Sequence, residues 1–170
     1  MKNILKLLVP VFFLVLMQES VSGQQLSDST KKTFKHYLGF GVGQITGRGL
    51  SYRYMPKRLG VQATFAPFKS YNQSSFNLGV SFLYRLVETN YVNFFAYQGT
   101  QYISSSNGYN GYRGMNYNYT KDKFFNTGVG LGVEFTILKR LSLNLMGGYS
   151  ALENFDRIDL TGDAGLYFKF

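Results

Sequence analysis

The chain has 170 residues, no cysteine, one histidine and a formal net charge of +9. Without cysteine there is neither a disulfide framework nor a thiolate metal site, and a single histidine argues against a histidine-rich metal centre. With 14 Tyr, 16 Phe and 19 Gly and only 16% charged residues, the composition favours strands, and no 3.6-residue apolar stripe persists.

Lys2 and Lys6 open a segment whose apolar run, Leu7 to Met17, is 11 residues long. A membrane-spanning helix needs about 20. Val21-Ser22-Gly23 then supplies small residues at signal-peptidase spacing. Residues 1–23 read as a secretory signal peptide cleaved after Gly23. The remaining 147 residues carry a net charge of +8 and make one domain. An exported protein does not meet nucleic acid. Its basic excess suits anionic lipid head groups and lipopolysaccharide phosphates, where each Lys or Arg gains about 1 kcal/mol. Residues 24–33 read as a short disordered leader.

From there the chain alternates with period two. Leu38, Phe40 and Val42 oppose Gly39, Gly41 and Gly43. Phe76, Leu78, Val80, Phe82 and Tyr84 oppose Asn77, Gly79, Ser81, Leu83 and Arg85. The longest run places Val129, Leu131, Val133, Phe135 and Ile137 against Gly128, Gly130, Gly132, Glu134 and Thr136. Such runs predict strands. Eight are expected, near Phe34–Ile45, Arg48–Met55, Gly60–Lys69, Ser75–Leu86, Tyr91–Ile103, Lys123–Ile137, Leu141–Ala151 and Ile158–Phe170. In the fifth, Phe95 and Tyr97 compete with Val92, Phe94 and Ala96 for the apolar face, which predicts a bulge there.

The even connections are short: MPKRLG, LVETN and LKR. The odd ones, KSYNQSS, Ser104–Asp122 and LENFDR, are longer on average, and only the first, at Thr46-Gly47, is tight. A transmembrane barrel has this asymmetry, with short periplasmic turns and longer outer loops. A soluble eight-stranded barrel would carry Lys and Glu on its polar face. Here that face is mostly Gly, Asn, Ser and Thr, with a few charges: Arg53, Arg85, Glu134, Asp163 and Lys169. Small residues and few large ones suit a narrow interior, which Tyr167, Phe68 and Leu83 would fill further. The fold expected is an all-β, eight-stranded antiparallel transmembrane up-and-down barrel over residues 34–170.

The last strand ends Leu166-Tyr167-Phe168-Lys169-Phe170. With the export signal and the eight runs, the chain resembles the small eight-stranded outer-membrane barrels of the OmpA/OmpX type. Its Gly-, Asn- and Tyr-rich style is similar to the barrel-domain proteins of the Bacteroidetes. The resemblance implies residence in a bacterial outer membrane with both termini periplasmic. It implies contact with the barrel-assembly machinery, with Leu166, Tyr167, Phe168 and Phe170 as the assembly signal. Asp28-Ser29-Thr30 is similar to the Bacteroidetes O-glycosylation motif.

Small outer-membrane lipid A-modifying enzymes use a His with a Ser and an acidic partner. His36 has neither nearby in sequence, and a general base must lie within hydrogen-bonding reach of its proton. The reading is therefore a non-enzymatic protein without a cofactor or metal, with a lipid A-modifying enzyme or a narrow solute channel as alternatives. Buried charges must pair, so Arg53, Arg85, Glu134 and Asp163 are expected to form one interior network plugging the lumen. Lys57, Arg58, Lys139 and Arg140 fall in periplasmic turns, facing inner-leaflet phosphates. The third outer loop holds Tyr109, Tyr112, Arg113, Tyr117 and Tyr119 among Gly, Asn and Ser. That mixture makes antibody-like contacts with protein or glycan. The role expected is structural or interactive, through that loop or as an accessory subunit of a larger outer-membrane complex.

Overall fold

The computed structural model describes residues 34–69, 73–108 and 119–170. The expected signal peptide, leader and glycosylation motif lie outside the described residues. Eight strands follow in chain order: β1 (His36–Val42), β2 (Arg48–Tyr54), β3 (Leu59–Lys69), β4 (Gln73–Glu88), β5 (Val92–Gly108), β6 (Tyr119–Leu138), β7 (Leu141–Leu152) and β8 (Arg157–Lys169). Each pairs antiparallel with its neighbours, and β1 pairs with β8 to close the barrel.

The alternation in sequence becomes inside and outside. On β6, Leu131, Val129 and Phe135 face out, while Gly132 and Glu134 are buried. The same division holds for Leu38 and Phe40 against Tyr37, and for Leu166 and Phe168 against Tyr167. A continuous apolar surface of this extent is incompatible with water. In lipid it is at rest, and β1 closes the sheet onto β8 from Tyr37↔Lys169 to Val42↔Ala164. The molecule is a transmembrane barrel with a polar lumen.

Three differences from the sequence expectation have identifiable causes. First, β1 stops at Val42, because Gly43 to Gly47 leaves the sheet and folds into the lumen. Ile45 becomes 0% exposed, and the return relies on positive φ at Gly47 (93°) and Gly49 (121°), where glycine alone is unstrained. Second, the bulge lies on β4, between Arg85 and Val87, and not on β5. β5 instead keeps a regular pleat and turns Phe95 and Tyr97 inward. Third, Phe68 has the parity of an inner residue but stands above the packed lumen, 59% exposed, so it does not fill the interior.

Glycines on the inner face make room for the large side chains. A Cβ on Gly132 would lie 2.4 Å from the Phe95 ring, and one on Gly165 would lie 2.6 Å from the Tyr167 ring. Packing of large against absent side chains is how an eight-stranded lumen reaches interior density.

Candidate functional site

The lumen is occupied at three levels. Nearest the rim that carries His36 and Phe170 is a charge cluster. Arg53 rises from β2 and is fully buried. Its Nε and Nη2 both donate to Gln62 Oε1, at 3.0 and 2.7 Å. Its Nη1 meets Glu134 Oε2 at 3.3 Å. The Asn144 amide, with its oxygen turned to the guanidinium, accepts from Nη1 and Nη2 at 3.0 and 2.7 Å. Glu134 Oε1 in turn accepts from Lys169 Nζ at 2.7 Å and from Asn93 Nδ2 at 3.2 Å. One carboxylate thus serves two cations. The excess positive charge rests on ring faces: the Arg53 guanidinium lies 4.6 Å from the Tyr167 centroid and 5.4 Å from that of Phe95. Lys169 Nζ lies 5.6 Å from the Tyr37 ring. Cation–π contact of this kind strengthens where water is excluded.

Arg85 sits beside this cluster with partners of its own. Its Nη1 pairs with Glu88 at 3.0 Å, and its Nη2 donates to Tyr37 Oη at 3.3 Å.

The middle level is hydroxyls and rings. Ser51 Oγ lies 2.9 Å from Thr64 Oγ1 and 3.1 Å from Tyr167 Oη, and Leu83 and Tyr97 are buried in the same core cluster as Tyr167. The third level is the inward turn. Asp163 Oδ1 accepts from the Gln44 N–H at 2.7 Å, and Oδ2 accepts from the Thr46 N–H at 3.3 Å. The expected four-membered network is therefore divided. Arg53 and Glu134 meet directly. Arg85 packs alongside on Glu88 and Tyr37. Asp163 binds backbone at the opposite end, because the inward turn brings it N–H donors that no count along a strand reveals.

Lys169, Gln62, Asn93 and Asn144 complete the charge cluster and were absent from the residues singled out in sequence as its members. Their signal was present: each is a polar residue at inner-face parity. What was missing was the strand stagger that brings residues as distant as Arg53 and Glu134 to one height.

At the rim, His36 Nδ1 lies 2.7 Å from Tyr52 Oη, and its ring stacks on Phe170 with centroids 5.7 Å apart and planes inclined by 18°. The partner is a tyrosine hydroxyl, not a serine or a carboxylate. Backbone bonds between His36 and Phe170, at 3.2 and 2.9 Å, extend the β1–β8 seam. Leu166, Phe168 and Phe170 face outward, and Tyr167 faces in. Among the described residues, no group of three or more His, Cys, Asp or Glu is placed to hold a metal.

The other rim is uneven. The segment expected as a loop over Ser104–Asp122 is strand at both ends. β5 and β6 stay paired from Ser104↔Lys123 to Gly108↔Tyr119. Residues 73–75 of β4 join them against Ser105–Asn107. The opposite side stays low: β1 and β2 are joined by the inward turn, and β7 and β8 by the short 3-10 turn Glu153–Phe155. Asn154 in that turn accepts from the Phe125 N–H at 3.2 Å and ties it to β6. Tyr109, Tyr112, Arg113 and Tyr117 lie outside the described residues. Tyr119 opens β6.

No protein-family model matches the chain, and no curated protein sequence does. Solved structures do. The chain is similar to Neisserial surface protein A (NspA), at 15% identity and a TM-score of 0.50, covering 80% of this chain and 95% of that one. A major outer membrane protein from Thermus thermophilus aligns at 14% identity and a TM-score of 0.49, with 80% and 98% covered. The N-terminal β-barrel domain of Pseudomonas aeruginosa OprF aligns at 12% and 0.48, with 79% and 96% covered.

Proposed function

We propose that this integral protein of the bacterial outer membrane is a non-enzymatic interaction barrel, with the raised β5–β6 hairpin as its contact element. The apolar belt, closed sheet and filled polar lumen make up the architecture of outer-membrane barrels. The observation that carries the role is the uneven rim. From Tyr102 to Gly108, β5 runs roughly 20 Å further at the usual strand rise, while its neighbours across the barrel are cut short. The pairing carries β5 and β6 as a rigid scaffold up to Gly108↔Tyr119, and binding residues concentrate on loops carried by rigid scaffolds. The tip, residues 109–118, holds Tyr109, Tyr112, Arg113 and Tyr117 in a Gly/Asn background. Tyrosine offers large contact area at small entropic cost.

In this reading the raised rim is extracellular, and the rim with Lys57, Arg58, Lys139 and Arg140 faces inner-leaflet phosphates. The lumen cluster is a structural plug. Leu166, Tyr167, Phe168 and Phe170 serve delivery to the barrel-assembly machinery.

The test is a gentle detergent capture of the tagged protein from outer membranes, with residues 109–118 intact and then replaced by a two-residue Asn-Gly turn. The replacement keeps the strand register. A stoichiometric partner lost on replacement supports the hairpin as the contact. The same partner retained by both forms would move the contact elsewhere on the barrel. If neither form captures a partner, glycan-array binding decides between a ligand-binding hairpin and a merely structural one.

A further inference from the structure

Among the described residues, the lipid-facing belt is apolar except at one place. Along the outer face of the described strands, between the tyrosines and charges at the rims, the side chains are Leu, Val, Ile, Phe, Ala, Pro and Gly. The exceptions are Gln98 and Thr100 on β5 and Thr127 on β6, which adjoin one another: Gln98 stands across from Phe82 and Val129, and Thr100 across from Val80 and Thr127. Those cross-strand partners Phe82, Val80 and Val129 are themselves outward and exposed. Gln98 is six residues from Val92 at one rim and four from Tyr102 at the other. With a strand rise of about 3.3 Å and a tilt of about 40°, the amide lies roughly 15 Å into a belt about 25 Å tall.

The two threonines meet their hydrogen-bonding needs within the barrel. Thr127 Oγ1 donates to the Gly99 carbonyl at 3.0 Å and lies 3.1 Å from Thr100 Oγ1. The glutamine does not. Its Nε2 reaches Thr100 Oγ1 at 3.4 Å, which leaves its carbonyl oxygen and one amide hydrogen without a partner among the described residues. Hydrocarbon supplies neither donor nor acceptor, so an amide left there is costly. Beside it stands the small side chain of Ala96, across from Tyr84 and Leu131. A side chain this small leaves room for another surface to approach the amide.

We propose that the β5–β6 outer face, centred on Gln98, is a dimerisation surface for a second copy of this chain within the membrane. The choice of occupant follows from the chemistry. A primary amide is donor and acceptor at once. Two copies related by a two-fold axis through this face pair their Gln98 amides reciprocally, carbonyl to N–H in both directions. A self-complementary patch is what an isologous interface requires. Polar side chains on otherwise apolar membrane surfaces serve as such glue.

The chain's lack of cysteine permits a clean test in whole outer membranes. Ala96→Cys places a thiol beside the axis, and Phe40→Cys places one on β1, away from β5 and β6. Copper-phenanthroline oxidation is expected to join the Ala96→Cys protein into a species of twice its mass and to leave the Phe40→Cys protein monomeric. Adding Gln98→Leu to Ala96→Cys is expected to lower the dimer association constant roughly tenfold. Gln98→Leu replaces an amide by an apolar side chain on the lipid face, so the barrel itself keeps its heat-modifiable folded form, and that form is scored in each sample. Equal cross-linking at both thiols overturns the proposal, as does cross-linking of Ala96→Cys that Gln98→Leu leaves unchanged. A cross-linked product of any other mass would assign the face to a different protein and overturn the second copy as occupant.

Discussion

Glu134 is the shared anion of the lumen, and its removal is expected to cost more than removal of either cation. Lys169 Nζ lies 2.7 Å from one carboxylate oxygen and Arg53 Nη1 lies 3.3 Å from the other. At an effective dielectric of about 20 these contacts attract by about 6 and 5 kcal/mol before desolvation. Glu134→Gln keeps the shape and relieves the cost of burying a carboxylate, which is several kcal/mol. It also leaves two buried cations around a neutral amide. The expected net loss is about 3–5 kcal/mol, the usual result of stranding a buried charge. Lys169→Met leaves the Arg53–Glu134 pair and the Asn93 bond in place, so its loss should be about 1–3 kcal/mol. In the double variant a single cation remains, and it is expected to be more stable than Glu134→Gln alone. The assay is urea unfolding of protein folded into phospholipid vesicles, read by the heat-dependent shift in gel mobility. A Lys169→Met loss as large as that of Glu134→Gln would refute the shared-anion account, as would a double variant no better than Glu134→Gln.

Three further outcomes are expected. Asp163→Ala removes the acceptor of two turn N–H groups and should cost about 2–4 kcal/mol; a Thr46→Cys thiol, buried in the wild type, should then react with a water-soluble maleimide, and an unchanged reaction rate would count against the carboxylate as the turn's anchor. Gly99→Ala places a Cβ 2.6 Å from Ile45 Cγ2 and should destabilise by about 1–3 kcal/mol through overpacking. Ile45→Ala removes the Cγ2 that meets this Cβ, so Gly99→Ala should cost much less in an Ile45→Ala background than in the wild type in the same urea assay, and an equal cost in both backgrounds would mean the turn does not pack where Gly99 makes room. Leu131→Lys puts a charge on the lipid face and should cost about 2–4 kcal/mol near the midplane. A neutral effect there would contradict the assignment of the apolar face to lipid.

The strand count and the two faces were readable because alternation is local. On β6, five apolar residues in strict period two against Gly, Glu and Thr admit only one division between lipid and lumen. The same holds for Leu166, Phe168 and Phe170 against Tyr167. On β5 the division was ambiguous for a physical reason: two aromatic rings face inward there, and Gln98 and Thr100 face outward, so hydrophobicity no longer separates the faces. Pairing with β4 and β6 resolves it, since Gln98 falls opposite outward Phe82 and Val129.

Inner-face polarity was likewise legible, whereas the partners within the lumen were not. That Arg53 and Glu134 are inner residues follows from parity. That they touch, that Lys169 shares the carboxylate, and that Gln62 and Asn144 hold the guanidinium depend on the stagger of strands around a closed barrel. The inward turn is a second case: nothing near Ile45 marks it as interior, and it becomes so because Gly99 and Gly128, far away in the chain, leave a space of its size. The sequence by itself determined that the chain makes eight strands with an apolar outside, because a strand's two faces are set by neighbouring residues. Only the closed tertiary structure decided which interior groups meet, because those distances are fixed by register and shear around the whole barrel.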